Sequence, residues 1–119
     1  METTLYQIAK LWLQAFNKHD LEELLSLYDS EAVHYSPKLK TRHPETNGLI
    51  KGKDALRLWW QDAFHRLPQL SYVEKTIITG NDIIFMEYVR HVPGEENMNV
   101  GEVLEIKNSL IVSSRVYHG

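Results

Sequence analysis

Between Trp12 and Pro37 the chain reads WLQAFNKHDLEELLSLYDSEAVHYSP, and this segment restricts the fold more tightly than any other. Leu5, Ile8, Leu11, Trp12, Ala15 and Phe16 recur at helical spacing, and Thr4 followed three residues later by Gln7 has the form of a capping box, which predicts a first helix over about 4–18. Asp20 with Glu23 repeats the start signal, and Leu21, Leu24, Leu25 and Tyr28 make one face of a second helix only about two turns long. So short a helix is marginal alone and needs the first to pack on. Pro37 pushes its predecessor toward extended geometry, so Ala32 to Ser36 reads as a strand with His34 and Ser36 on one face and Val33 and Tyr35 on the other.

Downstream, roughly Lys38 to Lys51 is irregular and reads as a loop over the domain. Gly52 then opens a third helix whose Leu56, Trp59, Trp60, Ala63, Phe64 and Leu67 form a wide apolar stripe, the largest hydrophobic contribution expected from any segment, and Pro68 stops it. The rest is strand-like: Leu70 to Thr79, a Gly80-Asn81-Asp82 turn, Ile83 to Val92, a polar connection, Val100 to Lys107, an Asn108-Ser109 corner and Leu110 to His118. Three helices in the first half followed by an antiparallel meander predict an α+β fold, a curved sheet wrapped over helices. At 119 residues and 43% hydrophobic content there is room for one core, so a single domain over residues 1–119 is expected.

Composition excludes several function classes. The net charge is -3 and the Lys and Arg residues are scattered, so neither a nucleic acid nor a membrane surface is an expected partner. The chain has no Cys, which removes disulfides, thiolate catalysis and Cys-ligated metals and fits a reducing compartment. The first residues lack a basic n-region and a small-residue cleavage site, and no apolar run approaches the ~20 residues needed to span a bilayer, so a cytoplasmic location is expected. None of the 6 His pairs with another His or a carboxylate at ligand spacing, and there is no HExxH, phosphate-binding glycine loop or GxSxG elbow. No metal and no cofactor are expected.

Three segments in order, AFNKHDLEELLSLYDSEAVHYSP, GLIKGKDALRLWW and SLIVSSRVYHG, resemble the helix-helix-strand opening, the approach to the third helix and the closing strand of one group of proteins. This is the SnoaL-like, polyketide-cyclase-like and ketosteroid-isomerase-like branch of the nuclear-transport-factor-2-like superfamily, and the likeness covers nearly the whole chain. It implies a cone-shaped, cystatin-like α+β barrel with a hydrophobic pocket at its open end, often in a homodimer. It also implies positions. Trp12 falls where a tyrosine donates to a substrate oxyanion in the isomerase branch, Ser36 where an aspartate acts as base, Trp60 where a second pocket tyrosine sits, and Glu102 where an acid supports the oxyanion. Only Glu102 keeps a chemically similar group, so the isomerase's own reaction is not carried over.

The candidate catalytic set is therefore His34, Ser36, Arg90 and Glu102. His34 and Ser36 stand about 7 Å apart on one strand face. The imidazole is either a general base near neutral pH or a core histidine bonded to its surroundings. Glu102 shares a face with Val100, Leu104 and Ile106; burial alone would leave it a protonated donor, whereas Arg90 on the neighbouring strand would keep it ionised in a buried pair. The candidate ligand-binding set is Trp12, Trp60, Phe64, Tyr88 and Met86 within the cone, with His118 either at its rim or frayed at the terminus.

Two functions follow from these sets. One is a cofactor-independent acid/base enzyme of isomerase, cyclase or lyase type acting on a small, mostly apolar molecule. The other is a non-catalytic ligand-binding or scaffold module, with a homodimer formed through the second sheet face of Ile83, Phe85, Val89 and Val103.

Overall fold

A computed structural model describes residues 4–119. Residues 1–3, which the expected domain includes, lie outside the described residues. Helix α1 (Leu5–Asn17) begins with the capping box: the Thr4 hydroxyl accepts from the Gln7 backbone N–H, and the Gln7 side chain accepts from the Thr4 N–H. Its stripe buries Ile8, Trp12 and Phe16. Asp20 caps α2 (Leu21–Ser26) by accepting from the Glu23 N–H at 3.1 Å.

Tyr28 does not continue that helix face. It opens β1 (Tyr28–Tyr35), which begins four residues earlier than Ala32 and shifts register between Tyr28 and Val33. The reason is a partner the local pattern does not contain: β1 runs parallel to the last strand, with Tyr28 paired to Ile111. Tertiary pairing here overrides a local helical spacing.

The expected loop is also more ordered than the pattern suggested. Ser36 caps a one-and-a-half-turn helix α3 (Pro37–Arg42), with Pro37 in its first turn, where a missing N–H costs nothing. A 3-10 turn at Pro44–Thr46 and strand β2 (Leu49–Lys51) follow, so there are four α-helices among the described residues. Gly52, at φ 90°, leads into α4 (Lys53–Arg66). Only Leu56 and Trp60 of α4 are buried, against Ile8, Ala9, Trp12, Leu13, Ala15 and Phe16 of α1. The apolar stripe of α4 is thus not the main core contributor; Trp59, Ala63 and Leu67 are half-buried because they face a cavity.

Strands β3 (Ser71–Thr79), β4 (Ile83–His91), β5 (Met98–Lys107) and β6 (Leu110–His118) form the meander. The six-stranded sheet has the order β2-β1-β6-β5-β4-β3, and β1 with β6 is its one parallel pair. Alternate residues face the helices, and the register stacks them in rungs. His34, Ser114, Leu104 and Ile84 form one rung; Val116, Glu102 and Met86 form the next; His118, Val100 and Tyr88 form the third; Met98 and Arg90 form the outermost. The opposite face keeps Ile83, Val73 and Ile78 exposed, with Phe85, Val89 and Val103 half-buried. No helix among the described residues is long and apolar enough to cross a membrane.

Candidate functional site

The inner face of the sheet, α1, α3 and α4 enclose a cavity of about 380 Å³. Its aromatic wall runs as a continuous stack. Phe16 lies 4.0 Å from Tyr72 between ring centroids, Tyr72 lies 4.0 Å from Tyr88, and Trp12 lies within 6.0 Å of all of these. Trp60 closes the opposite side against His34 and Tyr28. Flat rings with few polar atoms suit a planar, mostly apolar guest.

Beneath the wall on the β1/β6 side runs a chain of hydrogen bonds. The Trp12 indole N–H donates to the Tyr28 hydroxyl at 3.0 Å, Tyr28 donates to Ser114 Oγ at 3.1 Å, and Ser114 Oγ lies 2.6 Å from His34 Nδ1. Its direction is set by the indole, which can only donate. Tyr28 must accept there and pass its single proton to Ser114. Ser114 Oγ meets His34 Nδ1 either as donor to the bare nitrogen or as acceptor, for a second time, from its N–H. Burial, opposed by a hydrogen bond with the Ser114 backbone, lowers the His34 pKa to about 4, so the ring is neutral at pH 7. The neutral imidazole is held at Nδ1 by Ser114 and lines the cavity.

On the β4/β5 side Glu102 is 1% exposed. The Tyr88 hydroxyl donates to its Oε1 at 2.7 Å. Its other oxygen, Oε2, is the one buried side-chain N or O among the described residues without a hydrogen-bond partner. Burial raises the carboxyl pKa to about 8, with the Tyr88 hydrogen bond acting in the opposite sense. At pH 7 the group is a neutral carboxylic acid, and with Oε1 accepting, Oε2 carries the proton. Burial and then the Glu102 charge raise the Tyr88 phenol, which stays protonated.

Arg90 does not meet Glu102. It donates to Glu95 Oε1 at 2.8 Å, because it stands on the outermost rung, four residues along the register from the level of Glu102. The buried Arg90–Glu102 pair entertained from the sequence is absent. Near Arg90 lie Lys38 and His118; burial first, then the charges of Lys38 and Arg90, depress the histidine.

The cavity brings together His34, Ser36, Arg90 and Glu102, and with them Trp12, Trp60, Tyr88 and His118. Two candidates do not line it. Phe64 packs behind the wall, between Phe16 and His19, and Met86 is fully buried one rung inside Tyr88. Trp12 lines the cavity with its ring only, since its N–H is spent on Tyr28. Ser36 accepts from the Lys38 N–H at 3.2 Å as a helix cap. Sequence reasoning missed Tyr28 and Ser114 as polar partners and Lys38, Arg42 and Arg66 as lining cations. The alternation that puts His118 and Ser114 on one face was the available signal for Ser114; nothing local marks Tyr28. No group of three or more His, Asp or Glu side chains suited to hold a metal ion occurs among the described residues.

The family model for the SnoaL-like domain matches residues 9–114. No curated protein matches the chain. Among solved structures, a SnoaL-like protein of unknown function from Burkholderia thailandensis superposes with a TM-score of 0.86 at 21% identity, covering 98% of each chain. A cystatin-fold protein from Novosphingobium aromaticivorans gives 0.81 at 18% identity, covering 97% of this chain and 98% of that one. A protein from Catenulispora acidiphila with a ketosteroid isomerase-like fold, in complex with trimethylamine, gives 0.75 at 15% identity over 96% and 86% of the two chains. These likenesses establish the nuclear-transport-factor-2-like, cystatin-like fold.

Proposed function

The chain belongs to the family of SnoaL-like domains, and from that premise we propose that it holds a small, flat, mostly apolar molecule in its cavity by an acceptor oxygen, with Glu102 as the donor. The observation that carries this reading is the unpartnered, buried Oε2 of Glu102, a lining residue of a cavity walled on one side by stacked aromatic rings. A buried donor left unsatisfied costs about 1–3 kcal/mol, which a bound carbonyl, enol or phenol oxygen would recover. A carboxylic acid with a pKa near the working pH is also suited to proton transfer, so the chemistry we propose is cofactor-free polarisation of a carbonyl. Glu102 acts as the acid, His34 Nε2–H is a second donor, and solvent is the base; isomerase, cyclase or lyase reactions share this step.

The non-catalytic reading has one observation in its favour: the inner rungs present no ionised base at neutral pH, with His34 neutral and Glu102 protonated. We further propose a homodimer through the outer sheet face that carries Val73, Ile78 and Ile83.

One compound separates the readings. With 2-tetralone, quenching of Trp12, Trp59 and Trp60 fluorescence should report binding, weakened about tenfold or more by Glu102→Leu. Proton NMR in heavy water should record faster exchange of its α-protons with the wild-type protein and at least tenfold slower exchange with Glu102→Gln, whose amide donates but is no acid. Binding that Glu102→Leu leaves unchanged would remove Glu102 from the site. Binding without accelerated exchange would leave the non-catalytic module. Sedimentation showing a monomer at high micromolar concentration would remove the dimer.

A further inference from the structure

The mouth of the cavity carries the charge sign that the rest of the chain lacks. The chain is net -3, yet the ionised side chains lining the cavity are Lys38, Arg42, Arg66 and Arg90 against Glu95 alone, since Glu102 is protonated. Arg42 and Arg66 are partly offset by Asp62, at 3.8 and 2.7 Å. The other two are not. Lys38 has no ion pair among the described residues, and Arg90 keeps its side chain only 10% exposed with one of its five N–H groups engaged, by Glu95. A guanidinium taken that far out of water is costly unless its donors are used. Its sole partner stands on the exposed turn between β4 and β5, with the Glu95 side chain 47% exposed, and is thus displaceable.

We infer that the ligand is an amphipathic anion whose carboxylate seats at the mouth between Arg90, Lys38 and His118, opposite the acceptor oxygen that meets Glu102. This rests on the pocket reading above and goes beyond it by naming the ligand's second pole. A carboxylate is the anion to expect because Glu95 already presents one to Arg90, and the seat offers one guanidinium and one ammonium instead of the denser cation cluster a phosphate dianion would need. The register fixes the span. Glu102 pairs with Met86 and Met98 with Arg90, four residues apart along both strands, which is about 13 Å at the backbone. Two fused rings bearing an oxygen at one end and a carboxylate at the other match it. Glu95 then occupies the seat in the empty protein and yields it to the ligand.

Calorimetric titration at pH 7 with 6-hydroxy-2-naphthoate and with its methyl ester tests the seat. The acid is expected to bind about tenfold or more tightly than the ester, the scale of a charge-assisted hydrogen bond. Arg90→Gln and Lys38→Gln should each shrink that ratio, and Glu95→Gln should raise affinity for the acid severalfold while leaving the ester unchanged. Lys38 and Glu95 lie nearer solvent, so their variants decide the matter even where Arg90→Gln does not fold. Equal binding of acid and ester, or an acid preference indifferent to Lys38→Gln and Glu95→Gln, overturns the carboxylate seat while the inner pocket stands. Failure of both the acid and the ester to bind overturns the pocket reading and this inference together.

Discussion

Beneath β1 and β6, Trp12, Tyr28, Ser114 and Nδ1 of His34 each have a partner; beneath the adjacent β5 and β4, on the same concave face, Glu102 has a partner for one oxygen and none for the other. Both clusters are buried and both are polar, so burial alone does not tell them apart. What separates them is the closing of the hydrogen-bond account. A chain of hydroxyls in which every member has a partner rigidifies the fold, whereas a buried acid with a free O–H retains a group that no protein partner satisfies. The histidine and glutamate positions, alike in the sequence as inward polar residues, therefore differ: the first is tied into the hydrogen bonds of the fold, and the second keeps an oxygen that no protein group satisfies, the one the proposed ligand would meet.

The largest test of that contrast is Tyr28→Phe. It removes no apolar volume but strands the Trp12 N–H and leaves the Ser114 hydroxyl without its donor, so urea denaturation should show a loss of about 3 kcal/mol. A loss under about 1 kcal/mol would mean that the chain of hydroxyls is incidental, and the comparison would break.

Next in size is the pH dependence. Glu102 has a folded pKa of about 8 above its ordinary 4.5, so the unfolded chain gives up this proton first and stability falls as pH rises from about 4.5 to 8. His34 has a folded pKa of about 4 below its ordinary 6.5, so its contribution is lost as pH falls from about 6.5 to 4. Between 4.5 and 6.5 the two slopes oppose each other. From these two groups stability should be nearly flat there, then decline from pH 6.5 to 8 by up to roughly tenfold per pH unit in the folding equilibrium. Glu102→Gln should abolish the decline above 6.5 and expose the His34 slope below it. A wild-type profile that is flat from 6.5 to 8 would show Glu102 already ionised and the contrast false.

Much of this was legible in the chain because it is written in local periods. The Thr4/Gln7 box, the alternation of β4 to β6 and the two-residue corner at Asn108-Ser109 all declare themselves within a few residues. Alternation also puts Glu102, Arg90 and His34 inward. What it could not supply is pairing across the sheet. Tyr28 sits at helical spacing from Leu24 and Leu25, and only its parallel partner Ile111, some eighty residues later, makes it a strand residue. Arg90 and Glu102 share a face but not a rung, and register is a property of two strands and their turn, which the polar PGEENMN connection leaves open. Pro37 ends the strand, as its restriction on Ser36 predicts, and the same residue starts α3, since a proline ends one element and begins the next with equal ease.

The smallest expected effect sharpens the comparison most. Ser114→Ala removes the last hydroxyl before His34 and leaves the Tyr28 proton without an acceptor, for a cost of about 1–2 kcal/mol, less than Tyr28→Phe because the Trp12–Tyr28 bond survives. The informative readout is the imidazole itself. Nitrogen-15 shifts of the wild-type protein should report a proton on Nε2, and Ser114→Ala, by freeing Nδ1, should yield a mixture of tautomers. A wild-type proton on Nδ1 would make Ser114 Oγ the acceptor from both of its neighbours and return Nε2 to service as a base facing the cavity. The Glu102 transition near pH 8 should meanwhile stay within about half a pH unit, because a neutral hydroxyl one rung along on the neighbouring strand shares no hydrogen-bond partner with the carboxyl. A larger displacement would mean that the two clusters form one network, and that the missing partner of Oε2 is supplied by rearrangement of the protein instead of by a ligand.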